Sequence, residues 1–138
     1  MKIVFTNGCF DILHKGHIKL LEKCKELSED GKVIVGLNSD DSIKRLKGHD
    51  RPINDQETRK IILESLKFVD EVIIFEEDSP EILVSKILPD ILVKGGDYSI
   101  DQIAGKQHAK NIVIFPYIDG ISTTKTVQNI FKNISNRR

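Results

Sequence analysis

Five short, nearly continuous β-branched runs, spaced by longer segments of helical period, most constrain how this chain can fold. The runs are Ile3-Val4-Phe5, Val33-Ile34-Val35-Gly36-Leu37, Val72-Ile73-Ile74-Phe75, Ile91-Leu92-Val93 and Ile112-Val113-Ile114-Phe115. Their apolar residues are unbroken rather than alternating, so each suits a strand covered on both faces, as in a parallel sheet. Between them, Ile18, Leu21, Cys24 and Leu27 make one helical stripe over 18–29. Ile61, Ile62, Leu66 and Phe68 make another over 55–68, with Asn54 as its cap and Glu57 three residues on. Ser79-Pro80 opens a helix over 79–87. Val127, Ile130, Phe131 and Ile134 mark a last helix over 123–134. The order β-α-β-α-β-α-β-(short)-β-α predicts right-handed crossovers in a single doubly wound, Rossmann-like α/β domain with a parallel five-stranded sheet. That domain spans 1–134, and 135–138 form a frayed tail. In such a sheet ligands bind beyond the carboxyl ends of the strands, where strand order reverses.

A chain of 138 residues can bury a core without disulfide or metal staples. Its 21 Lys+Arg balance its 21 Asp+Glu, which argues against a general nucleic-acid or membrane-surface binder. Cys9 and Cys24 fit no metal-ligand spacing and read as reduced thiols. The sequence begins on a strand, with no run long enough for a signal peptide or membrane span, so a soluble cytoplasmic protein is expected.

The chemistry concentrates after the first strand, in Thr6-Asn7-Gly8-Cys9-Phe10-Asp11-Ile12-Leu13-His14-Lys15-Gly16-His17. Gly8 and Gly16 allow tight turns and close approach to a ligand. His14 and His17 flank a two-residue turn at a helix start, where free N–H groups and the helix dipole favour an anion. Both rings can face one phosphate, as donors when neutral or cations when protonated. A zinc site is the competing reading, but no third ligand cluster accompanies the pair. Gly120-Ile121-Ser122-Thr123-Thr124-Lys125 opens the last helix with hydroxyls and N–H groups suited to a phosphate, or simply with a Ser/Thr cap. Cations gather in the middle: Lys44, Arg45 and Lys47 after the second strand, and Arg59 early in the helix at 55–68. The loop Lys94-Gly95-Gly96-Asp97-Tyr98 after the fourth strand offers close backbone contact, an acid and an aromatic face. Read blandly, it is a tight polar turn.

Phe10-Asp11 followed by His14-x-Gly16-His17, together with Gly120–Lys125, resembles the signature of the cytidylyltransferase-like nucleotidyltransferases. The resemblance implies that His14 and His17 hold the triphosphate and stabilise the transition state at the α-phosphate. It implies Lys44 as a third catalytic group. Thr6, Asn7, Gly8, Cys9, Phe10, Asp11, Gly16, Arg59, Lys94, Gly95, Gly120, Ser122, Thr123 and Thr124 would line the nucleotide, and Lys47, Asp97 and Tyr98 the second substrate. Asp11 would orient Mg²⁺ or a histidine, or else serve the turn. Mg²⁺ would be bound mainly through the phosphates. Within the family, the stretches 6–11, 38–40, 51–54, 93–98 and 120–125 look like the heptose-1-phosphate nucleotidyltransferases, without the kinase domain of their bifunctional relatives. The glycerol-3-phosphate cytidylyltransferases share Gly16–Glu22 and Gly120–Lys125, but typically carry an arginine where Tyr117 stands and a bulkier, more acidic 94–98 loop. The segment from Gly105 to Ile112 is short, which implies a trimmed helix before the last strand.

The resemblance therefore implies transfer of a nucleoside monophosphate from ATP or CTP to a sugar 1-phosphate, with pyrophosphate leaving and no nucleic acid or membrane involved. A homodimer is expected from the family alone. Two rival readings stay open: a nucleotide-binding domain without catalysis, and a thiol-dependent role through Cys9. A buried small hydrophobe is the plainer account of that cysteine.

Overall fold

The computed structural model describes residues 1–96, 98–116 and 122–136. Five parallel strands form one sheet in the order β3-β2-β1-β4-β5: β1 (Ile3–Gly8), β2 (Lys32–Asn38), β3 (Glu71–Phe75), β4 (Ile91–Gly95) and β5 (Asn111–Phe115). The strands fall on the five apolar runs, and the expected doubly wound parallel sheet is borne out.

Strand residues divide cleanly between the two faces, because successive side chains point in opposite directions. Val4, Val33, Val35, Ile91 and Val93 pack with Leu20, Leu21 and Cys24 of α1 (Lys15–Ser28) and with Leu63 of α3 (Gln56–Glu64). Phe5, Ile34 and Leu92 pack on the other side with Val84 of α4 (Glu81–Ile87) and with Ile103. Burying both faces is what the continuous apolar runs require. Two 3₁₀ turns, Ile100–Gln102 and Lys106–His108, stand where a full crossover helix would lie between β4 and β5.

Several local features differ from the sequence reading. Helix α1 begins at Lys15 rather than 18, and α3 is capped by Asp55, whose carboxylate accepts the Thr58 N–H, rather than by Asn54. It also ends at Glu64, short of Phe68. An additional helix, α2 (Asp40–Lys47), contains the basic stretch after β2; Ser39 caps it. The last helix, α5 (Thr123–Ser135), has no buried residue, and Ile130, Phe131 and Ile134 of its apolar stripe are exposed.

The sheet reverses its order between β1 and β4, whose carboxyl ends lie side by side. The segment 9–14 leaves β1, and Lys94 lies near the carboxyl end of β4, so the topology alone puts His14 and Lys94 at one rim.

Candidate active site

The loop from Cys9 to His14 turns sharply, with Phe10 at φ 48° and Ile12 at φ 53°, both in the left-handed region. A β-branched residue there is strained, and such strain persists only where the surroundings over-determine it. Here they do. The Asp11 carboxylate is buried and accepts the Ile53 N–H at 2.7 Å and the Asn54 N–H at 2.9 Å. The Thr123 hydroxyl donates to the Asp11 carbonyl from the start of α5.

Arg59 lies beneath the loop, 1 % exposed. Its Nη1 donates to the Cys9 carbonyl at 2.9 Å and the Asn38 carbonyl at 2.8 Å. Its Nε donates to the Asn54 carbonyl at 2.9 Å, and its Nη2 pairs with Asp40 at 2.8 Å.

The loop delivers the chain to α1 with His14 as the cap. The Gly16 N–H donates to His14 Nδ1 at 3.1 Å, and the His14 N–H donates to His17 Nδ1 at 3.2 Å. Each Nδ1 is thus an acceptor, so the single proton of each neutral ring sits on Nε2. The rings stack 3.9 Å apart between centroids, and the Phe10 ring tilts against His17 at 5.3 Å. Burial, then His14, then Lys47, push the His17 pKa down to about 4, and burial lowers that of His14. At neutral pH the pair is therefore uncharged, presenting two fixed N–H donors instead of two cations. Gly16 is required by the same geometry: a Cβ there would come within 2.9 Å of His14 Cε1.

Two cavities open beside this turn. The first, about 280 Å³, runs from His14, Gly16 and His17 to Ser122, Thr123 and Thr124. Ser122 Oγ accepts the Lys125 N–H and so caps α5. The second, about 530 Å³, is lined by Asn7, Asn38, Asp78, Lys94 and Tyr98. His17, Leu20, Lys47 and Gly95 border both. Lys94 Nζ lies over the Tyr98 ring, 5.1 Å from its centroid. Two fixed donors and a cation where two cavities meet suit a reaction between two phosphate-bearing molecules.

A model of the cytidylyltransferase-like family matches residues 5–131. The chain belongs to that family. It is 54 % identical over 129 residues to the bifunctional protein HldE of Nitratiruptor sp., covering 94 % of this chain and 28 % of that protein. The corresponding protein of Campylobacter concisus is 50 % identical over 129 residues, with 94 % and 27 % covered. The chain spans little more than a quarter of the length of these curated relatives. The solved structure of the lipopolysaccharide core biosynthesis protein from Thermoplasma volcanium is also similar, at 31 % identity and a TM-score of 0.71, over 86 % of this chain and 99 % of that one. The cytidylyltransferase-like identity expected from the two motifs is borne out.

For a cytidylyltransferase-like chain, the structure brings many of the expected residues together and moves others away. His14, Gly16, His17, Lys47, Gly95, Ser122, Thr123 and Thr124 line the first cavity. Asn7, Gly8, Cys9, Phe10, Lys94 and Tyr98 line the second. Asp97 and Gly120 lie outside the described residues.

Four expectations are corrected. Arg59 cannot bind the nucleotide, because its guanidinium is wholly buried and committed to three backbone carbonyls and Asp40. Asp11 is buried and serves the turn instead, its two oxygens accepting the Ile53 and Asn54 N–H groups and neither bonding to a histidine. Thr6 is fully buried, and its Oγ1 has no hydrogen-bond partner among the described residues. Lys44 is exposed on α2 and lines neither cavity; Lys47, one turn on, lines both. Sequence reasoning did not assign Asn38 or Asp78 to the site. Asn38 ends a central strand, a position that signals ligand contact in this fold; Asp78 carries no comparable signal.

Among the described residues no group of three or more His, Cys, Asp or Glu side chains could hold a metal. Nor is any described helix long and apolar enough to cross a membrane.

Proposed function

We propose that this chain transfers a nucleoside monophosphate from ATP or CTP to a heptose-type sugar 1-phosphate and releases pyrophosphate. The observation that carries the reading is the stacked, neutral His14–His17 pair, with both Nδ1 atoms accepting backbone N–H bonds at the junction of two cavities. The nucleotide takes the first cavity, between the histidines and Ser122–Thr124. The sugar phosphate takes the second, where Lys94 meets its phosphate and Asn38, Asp78 and Tyr98 face its hydroxyls and ring. The name of the solved relative, a lipopolysaccharide core biosynthesis protein, supports a product destined for surface polysaccharide. The same reading makes the enzyme cytoplasmic and homodimeric, and light scattering checks the dimer.

In the transfer, an oxygen of the sugar 1-phosphate attacks the α-phosphorus in line and the bond to the β-phosphate bridging oxygen breaks. The attacking phosphate monoester is already largely ionised at neutral pH, its second pKa being near 6, so no general base is needed. His14 and His17 donate from Nε2 to the phosphate oxygens on which charge grows, and Lys47 neutralises the departing pyrophosphate. Such donors, fixed in advance, typically supply the largest share of phosphoryl-type catalysis. Mg²⁺ accompanies the triphosphate in this reading. The described side chains do not fit a protein-held cation, since no group of three or more His, Cys, Asp or Glu could hold one and Asp11 is buried with both its oxygens accepting backbone N–H bonds.

The test is a pyrophosphate-release screen of ATP, CTP, GTP and UTP against heptose 1-phosphate and glycerol 3-phosphate. Release with heptose 1-phosphate and ATP or CTP is the expected result. Turnover with glycerol 3-phosphate alone reassigns the acceptor, and nucleotide binding without release under any pairing overturns the catalytic reading.

A further inference from the structure

Among the buried charged groups, Arg59 is the one whose partners come from three separate segments, all of them at the rim of the site. Its guanidinium reaches the Cys9 carbonyl after β1, the Asn38 carbonyl at the end of β2 and the Asn54 carbonyl before α3. We propose that Arg59 is a positioning residue for the nucleotidyl transfer, holding the Cys9–His14 loop in the shape that aims both imidazoles at the nucleotide. The proposal rests on the nucleotidyltransferase reading given above.

The geometry runs in short steps. The Cys9 carbonyl belongs to the peptide that enters Phe10, whose backbone is left-handed and whose ring leans on His17. Asp11 and Arg59 also grip one two-residue strip from opposite sides. Asp11 accepts its N–H groups at Ile53 and Asn54, and Arg59 donates to its Asn54 carbonyl. The loop is thus held at Cys9 by Arg59 directly, and at Asp11 through a strip that Arg59 anchors. Only a planar fork with five donors can span carbonyls arriving from these directions while pairing with Asp40; an ammonium is a point charge with three. A buried arginine serving stability alone would need its charge matched, which Asp40 does. The three carbonyls satisfy its remaining donors, and because they come from three rim segments they also tie those segments to one another.

Arg59→Lys separates these roles, because it keeps the charge and abandons the fork. In a variant shown to fold by circular dichroism, kcat should fall roughly tenfold to a hundredfold, as for a misplacement near 1 Å, with the nucleotide KM nearly unchanged. The His17 protonation midpoint, read by imidazole NMR without nucleotide, should rise from about 4 towards its ordinary value as the ring loosens from Phe10, His14 and Lys47. Asp40→Asn, which leaves the three carbonyl bonds in place, should cost less than Arg59→Lys in both readouts.

A folded Arg59→Lys variant with unchanged kcat and an unmoved His17 midpoint overturns the proposal. So does a rise in nucleotide KM alone, which would mean that Arg59 touches phosphate. If Arg59→Lys fails to fold, Asp11→Asn tests the same strip from its other side, and the absence of both a kcat loss and a midpoint shift there is equally fatal. If the unaltered chain releases no pyrophosphate, the reaction is wrong, while the His17 titrations still decide whether Arg59 positions the ring.

Discussion

At the α1 end of the first cavity, His14 and His17 are fixed by two backbone N–H bonds, by mutual stacking and by Phe10, over a loop that Arg59 binds from below and whose own Asp11 ties it to Ile53 and Asn54. At the α5 end, Ser122 caps its own helix and the Thr123 hydroxyl bonds to the carbonyls of Asp11 and Ile12, while the helix behind them buries no residue. One wall is built before any ligand arrives; the other, among the described residues, is hydrogen-bonded to it through the Thr123 side chain. The contrast suits a division of labour. Catalytic donors gain from being fixed in advance, whereas a wall that closes on a ligand gains from being able to move.

The sharpest way to break the comparison is to remove a donor from the rigid wall. His17→Ala should lower kcat by about 10²–10³, the usual loss for one transition-state donor, with circular dichroism unchanged. Near-normal turnover in a steady-state pyrophosphate assay would end the assignment. Gly16→Ala is subtler, since it deletes no functional group. Its Cβ meets the His14 ring at 2.9 Å, so the imidazole must swing away. A kcat loss of roughly tenfold to a hundredfold is expected for a displacement of this size. Retention of full activity would show that the His14 position is not critical.

Acid should undo the same wall. Both Nδ1 atoms accept N–H bonds, and a protonated imidazole can accept none, so protonation removes the cap on α1. His17 binds its proton near pH 4 when folded and near 6.5 when unfolded. Between those values the unfolded chain holds more protons, so stability is lost as pH falls through the window, by at most about 2 kcal/mol between pH 6.5 and 5. Asp70 and Asp90, whose pKa values are lowered, lose their contributions only below the ordinary carboxylate range. Urea midpoints at pH 7 and 5 check this, and His17→Asn should flatten the difference. An equal slope in that variant would place the titrating group elsewhere.

How much of this was legible depended on which interactions are local. The five strands were visible because two-faced burial leaves continuous apolar runs, and the histidine pair because its spacing and place after β1 are a local pattern. Helix α2 was missed although Ser39, Asp40 and Asp41 at its start and Lys44, Arg45 and Lys47 at its end suit the helix dipole. Only Ser42 and Ile43 are buried within it, so no apolar stripe announced it. The start of α1 at Lys15 is not legible because its cap, His14, is not among the usual capping residues. The role of Arg59 is hidden in the sequence for a different reason. A cation in a phosphate-binding family suggests phosphate, and nothing in the sequence tells that backbone carbonyls of Cys9, Asn38 and Asn54 converge on it.

The weaker wall offers the smallest and most discriminating effect. Thr123→Val keeps the shape of the side chain and removes the hydroxyl that bonds to the Asp11 and Ile12 carbonyls. One neutral hydrogen bond contributes about 1 kcal/mol, so the nucleotide KM should rise about three- to tenfold. Thermal stability should hardly change, because α5 carries no buried residue whose packing could be lost. Turnover at saturating nucleotide should stay near normal, since the His14–His17 donors are fixed without Thr123, and Thr123→Ser should recover most of the affinity. Steady-state kinetics on the three forms give the answer. If Thr123→Val instead lowers kcat as far as His17→Ala, the two walls are not divided between catalysis and closure. The α5 hydroxyl would then belong to the machinery that fixes the transition state, acting through the same loop that Arg59 holds from below.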